Sequence, residues 1–122
     1  MADTTTQPRL ALGQMNPQVG AWAENAEKIV DLARRASSNR ADLLALPYGA
    51  LTGFPLADLP REPSFSAATH AAVQKLAQRL AAEGLGDLPV ILAHEGAAAH
   101  RDEGGAVRTH IYVINTGVAR EV

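Results

Sequence analysis

Two stretches of helical periodicity, each leading into a short run of unbroken apolar residues, constrain this 122-residue chain more than any other feature. From about Trp22 to Ser38, Ile29, Leu32, Ala33 and Ala36 recur at the i, i+3, i+4, i+7 spacing of one helix face. Glu24–Lys28 and Asp31–Arg35 stand as i,i+4 pairs on its outer side. Val73, Leu76, Ala77 and Leu80 repeat the stripe in a second stretch, which Ser64 or Ser66 can cap and Gly84 can end. The runs that follow the helices are of a different kind. Asp42-Leu-Leu-Ala-Leu46, stopped by Pro47, and Pro89-Val-Ile-Leu-Ala93 offer no polar side to water, as expected for parallel strands covered on both faces.

Three further strands complete the pattern. Arg9-Leu-Ala-Leu-Gly-Gln14 alternates and ends at Asn16-Pro17. Arg108 to Asn115 places His110, Tyr112 and Ile114 on one face and Ile111 and Val113 on the other, and Thr116-Gly117 can close a hairpin into Val118–Val122. Residues 47–63 carry Pro47, Pro55, Pro60 and Pro63 with Gly49 and Gly53, too many breakers for a helix or strand interior, and read as a long ordered loop. Ala97 to Ala106 is small, polar and Gly-rich and reads as another loop. The order β-α-β-α-β-β-β predicts an α/β fold with a mixed sheet, parallel first and antiparallel at its far edge. One domain over residues 9–122 follows a flexible N-terminus, residues 1–8, and the length suits a single core.

Composition narrows the function classes. With 47% hydrophobic but only 4% aromatic residues, the core must be built from Leu, Val, Ile and Ala. Eleven basic against thirteen acidic residues leave a net charge of -2 and no positive field for a phosphate backbone, so no nucleic-acid partner is expected. The absence of cysteine removes disulfides, thiolate metal ligands and thiolate nucleophiles from these residues. Met1 to Pro8 is polar and carries Asp3, unlike a secretory signal. The longest uncharged stretch, Leu43 to Ala57, is broken by prolines and falls short of the ~20 apolar residues of a membrane span. The expectation is a cytoplasmic protein with no membrane partner.

In sheets of this kind ligands sit beyond the carboxyl ends of the strands, which directs attention to the loops Gln14–Gly20, Pro47–Pro63 and His94–Gly105. His94, His100 and His110 invite a metal reading, but their spacing matches no helical or tight-loop ligand pattern. A triad of Ser64 or Ser66 with His70 and Asp58 can be written on paper, yet no Gly-x-Ser-x-Gly elbow is present. Gly104-Gly105 is isolated and opens no phosphate-binding helix. Neither a metal nor a cofactor is expected.

Two blocks carry a family resemblance. Ala11-Leu-Gly-Gln-Met-Asn-Pro-Gln-Val-Gly20, followed by Asn25-Ala-Glu-Lys-Ile29, resembles the opening of the carbon–nitrogen hydrolase (nitrilase) superfamily, most closely the glutaminase domain of glutamine-dependent NAD+ synthetase. Ala41-Asp-Leu-Leu-Ala-Leu-Pro47, then Ala50-Leu-Thr-Gly-Phe-Pro55 and Asp58-Leu59, is similar to the strand and loop that deliver the family's catalytic glutamate. The resemblance runs through the second helix and Leu88-Pro-Val-Ile-Leu92 to the C-terminal hairpin, and covers about the first half of a family domain.

The resemblance implies a Glu general base, a Lys that meets the developing oxyanion and a Cys nucleophile. Here the base position after Pro47 holds Tyr48, with Gly49 beside it, and a phenol keeps its proton at neutral pH where a carboxylate does not. Lys28 and Lys75 fall on the predicted helices, and no cysteine exists to be acylated. The expectation is therefore no catalytic residue, a degenerate base position at Tyr48, and a catalytically inactive interaction or structural module. Tyr48, Thr52 and Phe54 are the candidate binding residues, with packing of the Tyr48 ring and turn formation by Thr52 and Gly53 as the competing roles. Two alternatives stand beside this reading: half of a split amidase whose partner chain brings Lys and Cys, or an amide-binding module without turnover. In fold terms the resemblance implies a nitrilase-like half domain, two helices on one sheet face, that completes an αββα sandwich as a C2 homodimer. The sequence names no other protein partner.

Overall fold

The computed structural model describes residues 7–97 and 107–122. Strands β1 (Leu10–Leu12), β2 (Leu43–Ala45), β3 (Val90–Ala97), β4 (Val107–Asn115) and β5 (Val118–Glu121) form one sheet in sequential order. Helix α1 (Trp22–Ser38) connects β1 to β2, and α2 (Pro63–Ala82) lies between β2 and β3. The first three strands are parallel and the last two pairings antiparallel, as the mixture of long helical crossovers and one tight hairpin requires. Both crossovers step the same way across the sheet, and right-handed connections of that sort place both helices on one face.

That face holds the core. Leu44, Val90, Leu92, Tyr112 and Ile114 point from the sheet into Ile29, Val30, Val73, Leu76 and Leu80 of the helices. Each buried aliphatic side chain is worth ~1.5–3 kcal/mol, more than any cap at the helix ends, so the helix–sheet contact decides stability. Trp22 and Phe65 pin the helices together at their start, with ring centroids 5.3 Å apart and the indole N–H donating to Thr69 Oγ1 at 3.3 Å.

The helix ends depart partly from expectation. Neither Ser64 nor Ser66 caps α2: Pro63 occupies its first turn, Glu62 precedes it without a side-chain bond, and the Ser66 hydroxyl turns to the Pro60 carbonyl at 3.4 Å. Proline already supplies the fixed φ that starts a helix. Gly84 ends α2 as anticipated, at φ +76, with Leu85 N–H closing onto the Leu80 carbonyl at 2.9 Å. The anticipated pairs Glu24–Lys28 and Asp31–Arg35 are not ion pairs in the described residues: Lys28 Nζ donates to the Asn16 carbonyl at 2.9 Å. Surface pairs of that spacing hold only a few tenths of a kcal/mol and yield readily to other partners. The charged links run between the helices instead, Arg34 with Glu83 and Arg79 with Glu27 at 3.0 Å, and the Arg34 hydrogen bond holds the Glu83 carboxyl below its ordinary range.

β3 runs on to Ala97 rather than stopping at Ala93, because Val107 to His110 pair with Ala97 to His94 across the antiparallel ladder. Residues 1–6 of the expected flexible N-terminus and 98–106 of the Gly-rich loop lie outside the described residues. Among the described residues no helix is long and apolar enough to cross a membrane.

The two helices cover the apolar runs on one face, as the resemblance implied, and the described residues leave the other face without a second layer. Leu10 and Leu12 of β1 are 60% and 77% exposed, and Ile111 of β4 is 42% exposed. By strand alternation they share the helix-free face with Leu43 and Ala45 of β2 and Ile91 of β3.

Candidate functional site

The carboxyl ends of β1 and β2 open into the two loops that the sequence singled out. They are locked to each other through Asn25 of α1, whose side chain is fully buried. Its Nδ2 donates to the carbonyls of Gln18 (2.8 Å) and Leu51 (2.9 Å), while its Oδ1 accepts the Gln18 N–H (3.0 Å). Gly20 N–H adds a bond to the Thr52 carbonyl at 3.0 Å. The loops meet at Gly53, φ +87, where a built Cβ would stand 2.4 Å from Val19 Cα. Only glycine admits that approach.

Tyr48 stands immediately past β2, and Gly49 N–H ties this turn to the Ala93 carbonyl of β3 at 2.8 Å. The phenol reaches across to β4, its hydroxyl 3.2 Å from Thr109 Oγ1, and its ring meets Phe54 edge-on with centroids 5.3 Å apart. Both aromatics remain partly exposed. Thr52 does not join them. It is fully buried and its hydroxyl donates to the Gly53 carbonyl at 2.9 Å, which makes it a turn residue beneath the loop rather than a surface contact. Of the candidate binding residues, the structure therefore brings together Tyr48 and Phe54 and separates Thr52 from them. Lys28 and Lys75 lie on α1 and α2, in the helix layer.

A second polar cluster lies on the helix side of the sheet, at a cleft of about 200 Å³ under the first half of α2. The cross-strand register sets His94 opposite His110, and the His94 ring stacks on His110 and Tyr112 with centroids 5.8 and 5.5 Å apart. His110 Nδ1 meets the Glu121 carboxylate at 2.8 Å and its Nε2 meets the Ala97 carbonyl at 2.9 Å. His94 Nδ1 donates to the Glu95 carbonyl at 3.1 Å, leaving the buried Nε2 without a partner among the described residues. Burial first, and the neighbouring His110 second, push the His94 imidazole below its ordinary range, while the His110 hydrogen bond draws the Glu121 carboxyl down. Three of the four ring nitrogens are spent on separate partners, and no group of three or more potential ligands gathers among the described residues. His100 lies outside the described residues. The paper triad does not assemble there either: Ser66 is turned to Pro60, and no carboxylate of the described residues bonds His70.

The pattern reading missed Asn25 as a functional element of the fold. Its signal was present, a polar residue four positions before Ile29 on the inward stripe of α1. The Glu121 contact depended on hairpin register, which periodicity alone does not supply.

Comparison with known proteins gives this arrangement a lineage. Over 71 residues, 58% of the chain, it is 48% identical to glutamine-dependent NAD(+) synthetase of Synechocystis sp., and over 76 residues it is 41% identical to the enzyme of that name from Rhodobacter capsulatus. This chain is a carbon–nitrogen hydrolase relative. It spans 13–14% of the length of those two relatives. The fold agrees with a solved glutamine-dependent NAD(+) synthetase from Cytophaga hutchinsonii, at TM-score 0.77 and 18% identity over 94% of this chain and 18% of that one. A nitrilase-superfamily amidase of Nesterenkonia superposes at TM-score 0.67 and 18% identity over 93% of this chain and 40% of its own. No protein-family model matches the chain. The shared α/β fold is thus the frame on which Tyr48 occupies the turn after β2.

Proposed function

We propose that this carbon–nitrogen hydrolase relative is a non-catalytic interaction module of the cytoplasm. The observation that carries the reading is Tyr48, which stands where the resemblance places the general base and commits its hydroxyl to Thr109. Amide hydrolysis by the family's route needs a nucleophile, a base and a cation at the oxyanion. These 122 residues contain no cysteine. Lys28 bonds the Asn16 carbonyl, and Lys75 sits on α2 beside Arg79 in the groove between the helices. Loss of a positioned base alone costs ~10²–10⁴-fold in rate, and loss of the nucleophile removes the covalent route. A chain without cysteine suits a reducing compartment equally well.

The test is ammonia release by the purified chain from glutamine, asparagine and simple nitriles. The expected result is none, and the Tyr48→Glu variant stays silent as well, since it restores one group of three. Turnover that follows the protein through purification overturns the proposal.

A further inference from the structure

We propose that the helix-free face of the sheet is the contact surface of a two-fold homodimer, with Ile111 on the axis and Glu95 of each copy against Arg120 of the other. This deepens the reading of the chain as an interaction module, and rests on it for the availability of that face.

The strands present a nearly charge-free surface there. Leu10, Leu12, Leu43, Ile91, Ile111 and Val113 form its apolar body, and among the described residues the strands add only two charges to it, Glu95 and Arg120. Neither is in an ion pair with another described residue, although Arg34, Arg79 and Arg108 all are. A carboxylate and a guanidinium on an apolar surface are poor company for solvent-excluded contact unless each meets its opposite.

Register places them so that they can. Ile111 pairs with Ala93 on β3, and two residues further along β3 stands Glu95, opposite Thr109. On the other side of β4, Arg120 of β5 pairs with Val113, two residues from Ile111 in the opposite sense. Glu95, Ile111 and Arg120 therefore lie on one diagonal, with Ile111 at its midpoint. With strands ~4.8 Å apart and ~3.3 Å per residue, each charge is ~8 Å from Ile111 in the plane of the sheet. A two-fold axis lying in the contact plane, passing through Ile111 and perpendicular to the diagonal, sets each Glu95 over the Arg120 of the second copy. The same operation crosses the strands of the two sheets at roughly 70°, close to the orthogonal class of sheet packing. One surface thus supplies both halves of an isologous contact, the property a two-fold dimer needs. An unrelated partner has no reason to find a carboxylate and a guanidinium placed symmetrically about an isoleucine.

Light scattering over a micromolar dilution series reads the result. The parent chain is expected at twice 12.8 kDa. Glu95→Arg and Arg120→Glu, each alone, put like charges at both contacts and are expected to raise the dissociation constant roughly tenfold or more. Combined, they restore opposite charges and return the constant toward the parent's. Ile111→Arg is expected to give a monomer with an unchanged circular dichroism spectrum; should that variant not fold, the two charge variants, one at the half-buried Glu95 and one at the exposed Arg120, carry the test alone. A cooperatively folded parent of 12.8 kDa overturns the dimer. A dimer indifferent to the single reversals, or not recovered by the double one, overturns this geometry. Ammonia release by a confirmed dimer would refute the non-catalytic reading and leave the interface standing.

Discussion

Gly53→Ala is the substitution whose cost the structure defines best, because Gly84→Ala provides a matched control. Both glycines hold positive φ, +87 and +76. At Gly84 a built Cβ meets nothing within 4 Å, so the alanine pays only for its left-handed backbone, ~1 kcal/mol. At Gly53 the same atom would stand 2.4 Å from Val19 Cα, 2.5 Å from Val19 N and 2.7 Å from Gln18 C, all of them backbone. The two loops must part. Parting them breaks the Gly20 N–H to Thr52 carbonyl bond and strains the Asn25 bridge between Gln18 and Leu51. Buried groups left unpaired cost ~1–3 kcal/mol each, so the total for Gly53→Ala is roughly 3 kcal/mol. For a chain of this size that lowers the melting temperature by ~12 °C, against ~4 °C for Gly84→Ala. Differential scanning calorimetry at one fixed protein concentration makes the comparison, since association itself shifts the midpoint. Equal losses for the two variants would refute the close approach of the loops as the reason for glycine at position 53.

Asn25→Ala strands the Gln18 N–H and the Gln18 and Leu51 carbonyls, and is expected to cost ~2–4 kcal/mol in chemical denaturation. Asn25→Asp keeps the shape but turns a carboxylate toward two carbonyl oxygens, so at neutral pH it should be at least as destabilising; a neutral outcome would show the bridge to be dispensable. His94, held neutral chiefly by burial, has its folded pKa depressed below the ordinary 6.5, so the unfolded chain takes up the proton first. Stability is then complete above 6.5 and declines as pH falls below it, toward the depressed value. The carboxyl of Glu121, also depressed, contributes its own loss only lower, below 4.5. A urea-denaturation series from about pH 8 to about pH 5 should show this decline in the parent and a flatter profile in His94→Phe; parallel profiles would remove His94 as the cause.

The legibility of this molecule followed the range of the interaction involved. α1 was readable from residue to residue because Ile29, Ala33 and Ala36 report on their own helix, and Gly84 because a helix end needs φ > 0 whatever surrounds it. β3 extended past its expected end because its length is set by β4, whose residues Val107 to His110 pair with the extension across the intervening loop. The same dependence hid the His94–His110–Tyr112 stack and its link to Glu121, although alternation had already put His110 and Tyr112 on one face. At Thr52 the structure takes the turn-forming role that stood beside the binding one, its hydroxyl folding inward onto Gly53.

The apolar runs carry the more general lesson. Leu43 to Leu46 and Val90 to Ala93 ask for cover on two faces, and both helices supply it on one. A run of that kind records the surroundings in which the strand is stable rather than the contacts its own chain can make. At ~25 cal/mol for each Å² of apolar surface removed from water, covering the exposed parts of Leu10, Leu12 and Ile111 is favourable. In the proposed dimer, burial of this face supplies the attraction, and the positions of Glu95 and Arg120 on either side of Ile111 select one arrangement among those that burial alone would allow.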